Sequence, residues 1–186
     1  PDEVSFTSTF DADARRRDFT MNAMAMNIVT GEIFDPVGGR ADLDARIIRA
    51  VGDPFDRIAE DKLRMVRAVR FMSQLAPWHF TLDPALKAAI VANAEQIKVV
   101  SGERVRDEVK KILCSTHPLV GLDLLMETGL MQHILPELVL LTGPGGDQDP
   151  VWHPEGNVWV HTRLVVQGLV GSPFTLMLGG LLHDVG

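Results

Sequence analysis

Glu60, Asp61, Arg64, Arg67 and Arg70 set carboxylates and guanidiniums at three- and four-residue steps along Glu60-Asp61-Lys62-Leu63-Arg64-Met65-Val66-Arg67-Ala68-Val69-Arg70-Phe71. A helix turns about 100° per residue, which puts Phe55, Ile58, Ala59, Leu63, Val66 and Val69 on one apolar stripe and Glu60, Asp61, Arg64 and Arg67 on a charged one. On the charged face, Glu60 with Arg64 and Asp61 with Arg64 have the spacing of ordinary surface pairs, worth about 0.2–0.5 kcal/mol each. The arginines, however, drift towards the apolar stripe. Arg70 therefore lies at its edge, where an unpaired guanidinium is costly and an anionic partner is required. An Asp beside an Arg on one rigid face can also read a base. The carboxylate accepts from the exocyclic amino group of cytosine or adenine, and the guanidinium donates to the ring nitrogen or carbonyl beside it. Uracil and guanine present the opposite pattern, so such a pair selects C and A.

A second stretch is Arg15-Arg16-Arg17-Asp18-Phe19-Thr20-Met21-Asn22-Ala23-Met24. Consecutive arginines usually form a solvated run, but these abut an apolar segment that must pack. At least one is held against a rigid support, an arrangement suited to clamping a polyphosphate. Just before it, Asp11-Ala12-Asp13 would project two carboxylates from one side of a strand, as metal sites require. The segment Ala14-Arg15-Arg16-Arg17-Asp18 is polar and helix-like, so Asp13 reads instead as a helix-start residue and the metal reading is set aside. Towards the other end, His161 opens an apolar helix and His183 adjoins Asp184, offering imidazole and carboxylate ligands one short of a full set. A metal site and ordinary core histidines both stay open there. Cys114, in an apolar helical context, reads as a core residue.

These residues need elements to position them. Ala25–Val29, a turn at Thr30-Gly31 and Glu32–Phe34 read as a β-hairpin, followed by a loop at Asp35-Pro36-Val37-Gly38-Gly39, a short helix around Ala41–Ala45 and a strand at Ile47–Val51. Gly38-Gly39 serves a hinge rather than a phosphate cradle. Gly52-Asp53-Pro54 marks a boundary, with Asp53 capping and Pro54 opening one long helix that runs to about Leu75. Pro77-Trp78-His79-Phe80 breaks the pattern. Asp83-Pro84 starts a helix to about Ile97, Ser101 caps another over Gly102–Cys114, Pro118 and Gly129 bracket a fourth, and Leu130–Leu141 forms a fifth. Thr142–Pro150, rich in Gly, Pro and Asp, reads as a linker or mobile loop, and Leu176–Leu182 as a last apolar helix.

Composition narrows the class. With 46% hydrophobic and 23% charged residues in a chain of 186, the balance is globular and the chain is long enough to bury a core. No run approaches the ~20 apolar residues of a membrane span. A single cysteine excludes an internal disulfide and fits a reducing compartment, which places the protein in the cytoplasm. The net charge of −7 is uneven: residues 1–115 carry 17 basic against 18 acidic side chains, and residues 116–186 carry 1 against 7. Contact with RNA would thus rest on local patches in the first part.

With these motifs in hand, the chain resembles the class II tRNA nucleotidyltransferases (CCA-adding enzymes) and the related bacterial poly(A) polymerases. Arg16-Arg17-Asp18-Phe19-Thr20-Met21-Asn22-Ala23 is similar to that family's Arg-Arg-Asp-Phe-Thr-x-Asn-Ala motif, and Asp35-Pro36 with Gly38-Gly39 and Asp42-Leu43 to its hinge motif. Glu60-Asp61-x-x-Arg64-x-x-Arg67-Ala68-x-Arg70-Phe71 resembles the motif that templates the incoming base, and Glu103-Arg104 before Asp107-Glu108-Val109 the element supporting it. The resemblance implies that Asp61 and Arg64 read C or A, that Arg67 and Arg70 help bind the nucleotide, and that Arg17 contacts its triphosphate, with Arg16, Asp18, Asn22, Glu60, Glu103 and Arg104 in support. Trp159-Val160-His161-Thr162 and Leu181-Leu182-His183-Asp184-Val185-Gly186 resemble the opening of an HD domain, so His161, His183 and Asp184 become candidate ligands for a divalent metal.

The expected fold is mostly α with a small β portion: the C-terminal remnant of a nucleotidyltransferase α/β head, an all-helical neck and body, and the first helices of an HD domain. The divisions fall at residues 1–52 for the head, 53–115 for the neck that recognises the base, 116–150 for body and linker, and 151–186 for the HD start. The family's catalytic Asp-x-Asp, which holds Mg²⁺ for transfer, belongs upstream of Pro1, so the chain reads as a fragment, inactive by itself. The implied function of the intact protein is CCA addition, transferring CMP and AMP from CTP and ATP to the 3′ end of tRNA. The rivals are a poly(A) polymerase or a CC- or A-adding enzyme of the same family, and an RNA-binding module with a structural HD remnant.

Overall fold

In the computed structural model, which describes residues 9–143 and 156–185, proline and aspartate punctuate an almost wholly helical chain. Thr9 caps a short helix α1 (Phe10–Ala14), its hydroxyl accepting from the Ala12 N–H. Asp13 thus ends the helix instead of starting it: a threonine preceding the aspartates takes the cap, and Asp11 and Asp13 turn back to pair with Arg15 and Arg17 at 2.9 Å each. A two-stranded antiparallel hairpin comes next, β1 (Ala25–Met26) and β2 (Ile33–Phe34), shorter than the sequence predicts because Asn27–Glu32 close as a wide turn. Helix α2 (Gly39–Asp44) starts where Asp35 accepts from the Gly39 and Arg40 N–H groups at 2.8 and 2.9 Å. A side chain on Gly39 would fall 2.1 Å from the Thr20 carbonyl oxygen, so packing against the arginine-rich segment, not phosphate cradling, requires that glycine.

The predicted strand at residues 47–51 is reduced to β3 (Ile47–Ile48), which pairs in parallel with β4 (Thr81–Leu82). Beyond it, Ala50 forms an antiparallel bridge with Phe19. The β3–β4 pairing ties the chain before the main helices to the chain after them, and Arg49 reinforces the tie by meeting Asp42 at 3.0 Å and Asp83 at 2.5 Å.

The single long helix expected from Pro54 to Leu75 is two helices. Helix α3 (Pro54–Glu60) is capped by Asp53, which accepts from Phe55 and Asp56, and α4 covers Leu63–Leu75. Between them Asp61 is extended, with φ −148° and ψ 106°, and its carboxylate accepts from the Leu63 N–H. The aspartate satisfies an orphan donor at the start of α4 and so ends one helix while opening the next. Ile58, Leu63, Val66 and Val69 of the predicted stripe are buried, while Phe55 and Ala59, on the short α3, face solvent.

The remaining helices are α5 (Pro84–Asn93), extended by a 3₁₀ segment Ala94–Val99, α6 (Gly102–Leu113), α7 (Pro118–Glu127), α8 (Met131–Ile134), α9 (Pro136–Leu140), α10 (Val158–Gly168) and α11 (Phe174–Leu182). Pro136 splits the predicted helix over Leu130–Leu141, because its ring cannot continue the preceding turn. Cys114 ends exposed at the C-terminus of α6, not in the core, since burial on that helix falls to Val105, Glu108, Val109, Ile112 and Leu113. The expected architecture, mostly α with a small β portion, is what the structure has. Residues 1–8, most of the linker at 142–150, residues 151–155 and Gly186 lie outside the described residues.

Helix α4 is the centre of the core, with Met65, Val66, Ala68 and Val69 fully buried against α6 and α7. The closest approach is at Gly121 on α7, where an added Cβ would sit 2.4 Å from Ile112 Cγ2 and 3.2 Å from Ser73 Cβ. Ile112 is fully buried and cannot swing aside. Gly121→Ala should therefore destabilise the fold by about 1–3 kcal/mol through overpacking, against the usual gain from replacing a helical glycine. Urea denaturation would show it as a lowered midpoint, and an unchanged or raised midpoint would mean that the helices separate at little cost.

Candidate functional site

Residues 18–20 run antiparallel to residues 49–51: the Thr20 N–H donates to the Arg49 carbonyl at 3.0 Å and the Val51 N–H to the Asp18 carbonyl at 3.2 Å. This pairing buries Phe19 and sets Asp18 beneath the exposed face of α4. There the Arg67 guanidinium donates Nε and Nη2 to Asp18 Oδ2 at 2.8 and 2.5 Å. The other oxygen, Oδ1, accepts from the Phe19 N–H and from Asn22 Nδ2. Arg17 is held on the adjacent turn, by Asp13 and by the Asn22 carbonyl at 2.8 Å. Two elements distant in sequence thus bring their arginines to one place.

Arg64 is fixed as closely. It donates to Glu60 and to the Arg57 and Arg16 carbonyls, each at 2.8 Å. Arg57 in turn meets Glu60 at 2.6 Å and donates to the Arg15 carbonyl, so α3 is stitched to the arginine run. The expected Glu60–Arg64 pair is present. The Asp61 carboxylate, turned out of the helix by the break, instead meets Arg104 of α6 at 2.7 Å. Burial opposes ionisation of Asp61, but the Arg104 and Leu63 hydrogen bonds and the charges of Arg104 and Arg64 outweigh it and hold its pKa below the usual carboxylate value.

Arg17, Asp18, Asn22, Asp61, Arg64, Arg67 and Arg104 line one open cavity of about 500 Å³, a size in the range of small-molecule sites. Four guanidiniums against two carboxylates give it a positive balance suited to an anionic ligand. Asp61 offers an acceptor at one side of that positive lining.

Arg70 is elsewhere. It lies beside the buried Glu108 of α6, with Nε 3.1 Å from Oε2, and its guanidinium stacks 4.2 Å from the Phe71 ring centroid. The anionic partner that its position requires is Glu108, whose other oxygen takes Lys111 at 3.0 Å. Glu60 and Arg16 stand behind the cavity as partners of Arg64, and Glu103 is exposed in the first turn of α6. Sequence reasoning missed the helix break at Asp61 and the burial of Glu108. Neither had a legible signal in the spacing, because the stripe from Ala59 through Leu63, Val66 and Val69 keeps helical steps of four and three across the break.

A separate cluster forms from α10 and the end of α11. Ligand atoms of His161, His183 and Asp184 all lie within 4.8 Å of one another, with His183 Nε2 3.1 Å from an Asp184 oxygen. Three donors of this kind at that spacing fit a divalent ion that keeps open positions for water. His183 Nδ1 is 2.9 Å from the Gly180 carbonyl, which fixes the ring as the outer partner of a metal-ligating histidine does. By contrast, Asp11 and Asp13 are spent on Arg15 and Arg17.

Residues 1–49 match the family model for the poly(A) polymerase head domain, and residues 79–141 match that for the probable RNA- and SrmB-binding site of polymerase A. The chain is 38% identical over 183 residues to a multifunctional CCA protein of Xanthomonas campestris pv. campestris, covering 96% of this chain and 43% of the relative. It is 47% identical over 133 residues to a CCA-adding enzyme of Levilactobacillus brevis, covering 72% of this chain and 32% of that one. Among solved structures, the Bacillus stearothermophilus CCA-adding enzyme in complex with CTP superposes with a TM-score of 0.64 at 47% identity, over 68% of this chain and 31% of that chain. The chain therefore spans less than half the length of these curated relatives.

Proposed function

Because the chain belongs to the family of CCA-adding enzymes and poly(A) polymerases, we propose that the whole protein adds CMP and AMP to the 3′ end of tRNA and that this chain chooses the incoming base. The observation that carries the proposal is the cavity itself, in which the Asp61 carboxylate stands beside four fixed arginines. The solved relative with CTP bound supports a nucleoside triphosphate as its occupant. In this reading Asp61 accepts from the amino group of cytosine or adenine and Arg64 donates to the adjoining ring position, while Arg17 and Arg67 face the phosphates. Arg70 acts from behind, keeping α4 on α6.

Enzymes of this family work with a divalent metal, which supplies charge at the transferring phosphoryl group. We assign that ion as Mg²⁺, held by carboxylates of the head that precede Pro1 in the whole protein, and a further divalent ion to His161, His183 and Asp184. Residues 1–52 then end the head, 53–115 form the neck, 116–150 the body and 151–186 the start of an HD domain. No helix among the described residues is long and apolar enough to cross a membrane. The single cysteine of the sequence supports our assignment of the reaction to the cytoplasm.

The test is incorporation by the full-length enzyme on tRNA lacking its CCA end. Asp61→Ala should reduce discrimination of CTP over UTP by about 10- to 200-fold, the loss of about 1–3 kcal/mol of selective contact. Discrimination left intact would remove Asp61 from base reading. The family models, both described for polymerase A, favour a second reading in which the product is poly(A). Product length decides it: addition that stops after three nucleotides supports CCA, and continued AMP addition supports the polymerase.

A further inference from the structure

Away from the arginine-rich site, α6, α8, α11 and the 3₁₀ segment after α5 enclose a second cavity, of about 540 Å³. Its walls are apolar because two helical stripes meet there. Val105 and Val109 stand one turn apart on α6, and Phe174, Leu178 and Leu182 recur every four residues along α11. Phe174, Leu178 and Leu182 are only half-buried, so the stripe on α11 keeps apolar surface open to the cavity. The volume lies within the range of small-molecule sites, and most of the lining is hydrophobic, as in such sites.

Charge at this cavity has one sign. Lys98 and Arg106 line it and no carboxylate among the described residues does. Lys110, one turn beyond Arg106, stands over Phe174 with Nζ 5.6 Å from the ring centroid. In a chain of net charge −7 this is a local positive patch, not part of a general one. The partners of the two lining cations lie outside the cavity: Asp107 meets Arg106 at 3.1 Å and Glu95 meets Lys98 at 3.2 Å. All four of those side chains are more than half exposed, so both pairs are screened by solvent and exchange readily for a ligand anion. His133 also lines the cavity, half-buried, and no described group hydrogen-bonds to its ring. A neutral imidazole there still offers one N–H donor.

We propose that this cavity binds a single-chain amphipathic anion of the fatty-acid class, its apolar chain between the α6 and α11 stripes and its carboxylate held by Arg106, Lys98 and His133. The stripe from Phe174 to Leu182 runs about 12 Å, a length that the extended chain of decanoate matches. Charge complementarity decides for an anion over a neutral chain, since a purely apolar ligand leaves the cations and the imidazole without a partner. A nucleotide fits poorly, because the lining has no side-chain amide or carboxylate to meet the edge of a base. A membrane fits poorly too: walls from three helices take one free chain, whereas a bilayer is met by an exposed apolar face. The inference is independent of base reading by Asp61, which belongs to the other cavity.

The experiment follows a fluorescent amphipathic anion, anilinonaphthalene sulfonate, on the full-length protein, and displaces it with decanoate below its micellar concentration. Saturable binding of one dye, displaced by decanoate but not by equal decanol, is the expected result. Lys98→Gln with Arg106→Gln should weaken decanoate about tenfold or more, the loss of charge-assisted contacts at surface positions that leave the fold intact. Leu178→Trp, which fills the cavity, should abolish dye binding, with the urea midpoint showing that the variant is folded. Excess CTP should leave the dye in place. If CTP removes it, the anion sits in the arginine-rich cavity and the inference is overturned. Equal displacement by decanol, or unchanged affinity in the double variant, would leave only an apolar groove and overturn it as well. Absence of dye and decanoate binding would mean that the whole protein covers the cavity itself. Capture of the protein by vesicles of phosphatidylglycerol, with no binding of free decanoate, would replace the free anion by a membrane surface; both results overturn the proposal.

Discussion

Glu108→Ala should cost about 3–5 kcal/mol of stability, enough to unfold a marginally stable domain, although Glu108 does not line the arginine-rich cavity. Glu108 is 3% exposed, and its two oxygens are divided between Arg70 at 3.1 Å and Lys111 at 3.0 Å. Removing it strands a guanidinium between α4 and α6. Burial already lowers the Arg70 pKa from its ordinary value, against the opposing charge of Glu108 and, less strongly, of Asp18, so the cation is held there at a cost that Glu108 offsets first. The pair is a device for register more than a source of net stability. Replacing both members with apolar residues, as in Arg70→Met with Glu108→Leu, should therefore recover most of the loss. Denaturant midpoints for the two single variants and the double variant give the coupling directly. Single variants that unfold like the native protein would show that the pair is solvated in solution.

Burying that pair beside Met65, Val66 and Val69 anchors the α4 face that carries Arg64 and Arg67. Much of this was legible. The three-residue arginine step already demanded an anion for Arg70, and the Asp53-Pro54 and Asp83-Pro84 pairs marked where helices begin, because each aspartate satisfies orphan N–H groups of the first turn and the proline that follows has no N–H there to satisfy. The motif residues Arg17, Asp18, Asn22, Asp61, Arg64, Arg67 and Arg104 do converge on one cavity. What was not legible depended on contacts remote in sequence. Asp61 prefers to cap α4 and pair with Arg104, 43 residues away, over continuing a helix and pairing with Arg64. Local spacing cannot rank those two partners, since each surface pair is worth only a few tenths of a kcal/mol and the decision belongs to the packing of α4 on α6. Cys114 was misplaced for a related reason. Its neighbours Ile112 and Leu113 fill the core, and the helix turns the next residue outward.

Asp18 tests whether clamping the nucleotide and choosing its base are separable. Its Oδ2 holds Arg67 through two donors and its Oδ1 holds Asn22 and the Phe19 N–H, so a single carboxylate joins the arginine run to α4. Asp18 is almost buried while the Arg67 side chain is a third exposed, which discounts the energy of the pair for solvent. Asp18→Ala should then cost about 2–3 kcal/mol, less than Glu108→Ala, because Arg67 can turn to water when its partner goes. Asp18→Asn is the sharper variant. It keeps the size and an acceptor for the Phe19 N–H, but it removes the charge that orients Arg67. In the full-length enzyme it should raise KM for CTP and for ATP alike, by about tenfold for one lost charge-assisted contact, and leave the CTP-over-UTP ratio at its native value. A phosphate clamp has no means of telling one base from another, whereas the role proposed for Asp61 concerns the base alone. Were Asp18→Asn to erode discrimination as Asp61→Ala does, the two carboxylates would have to act as one unit. The cavity would then read base and phosphate through a single network, not through two walls held by different helices.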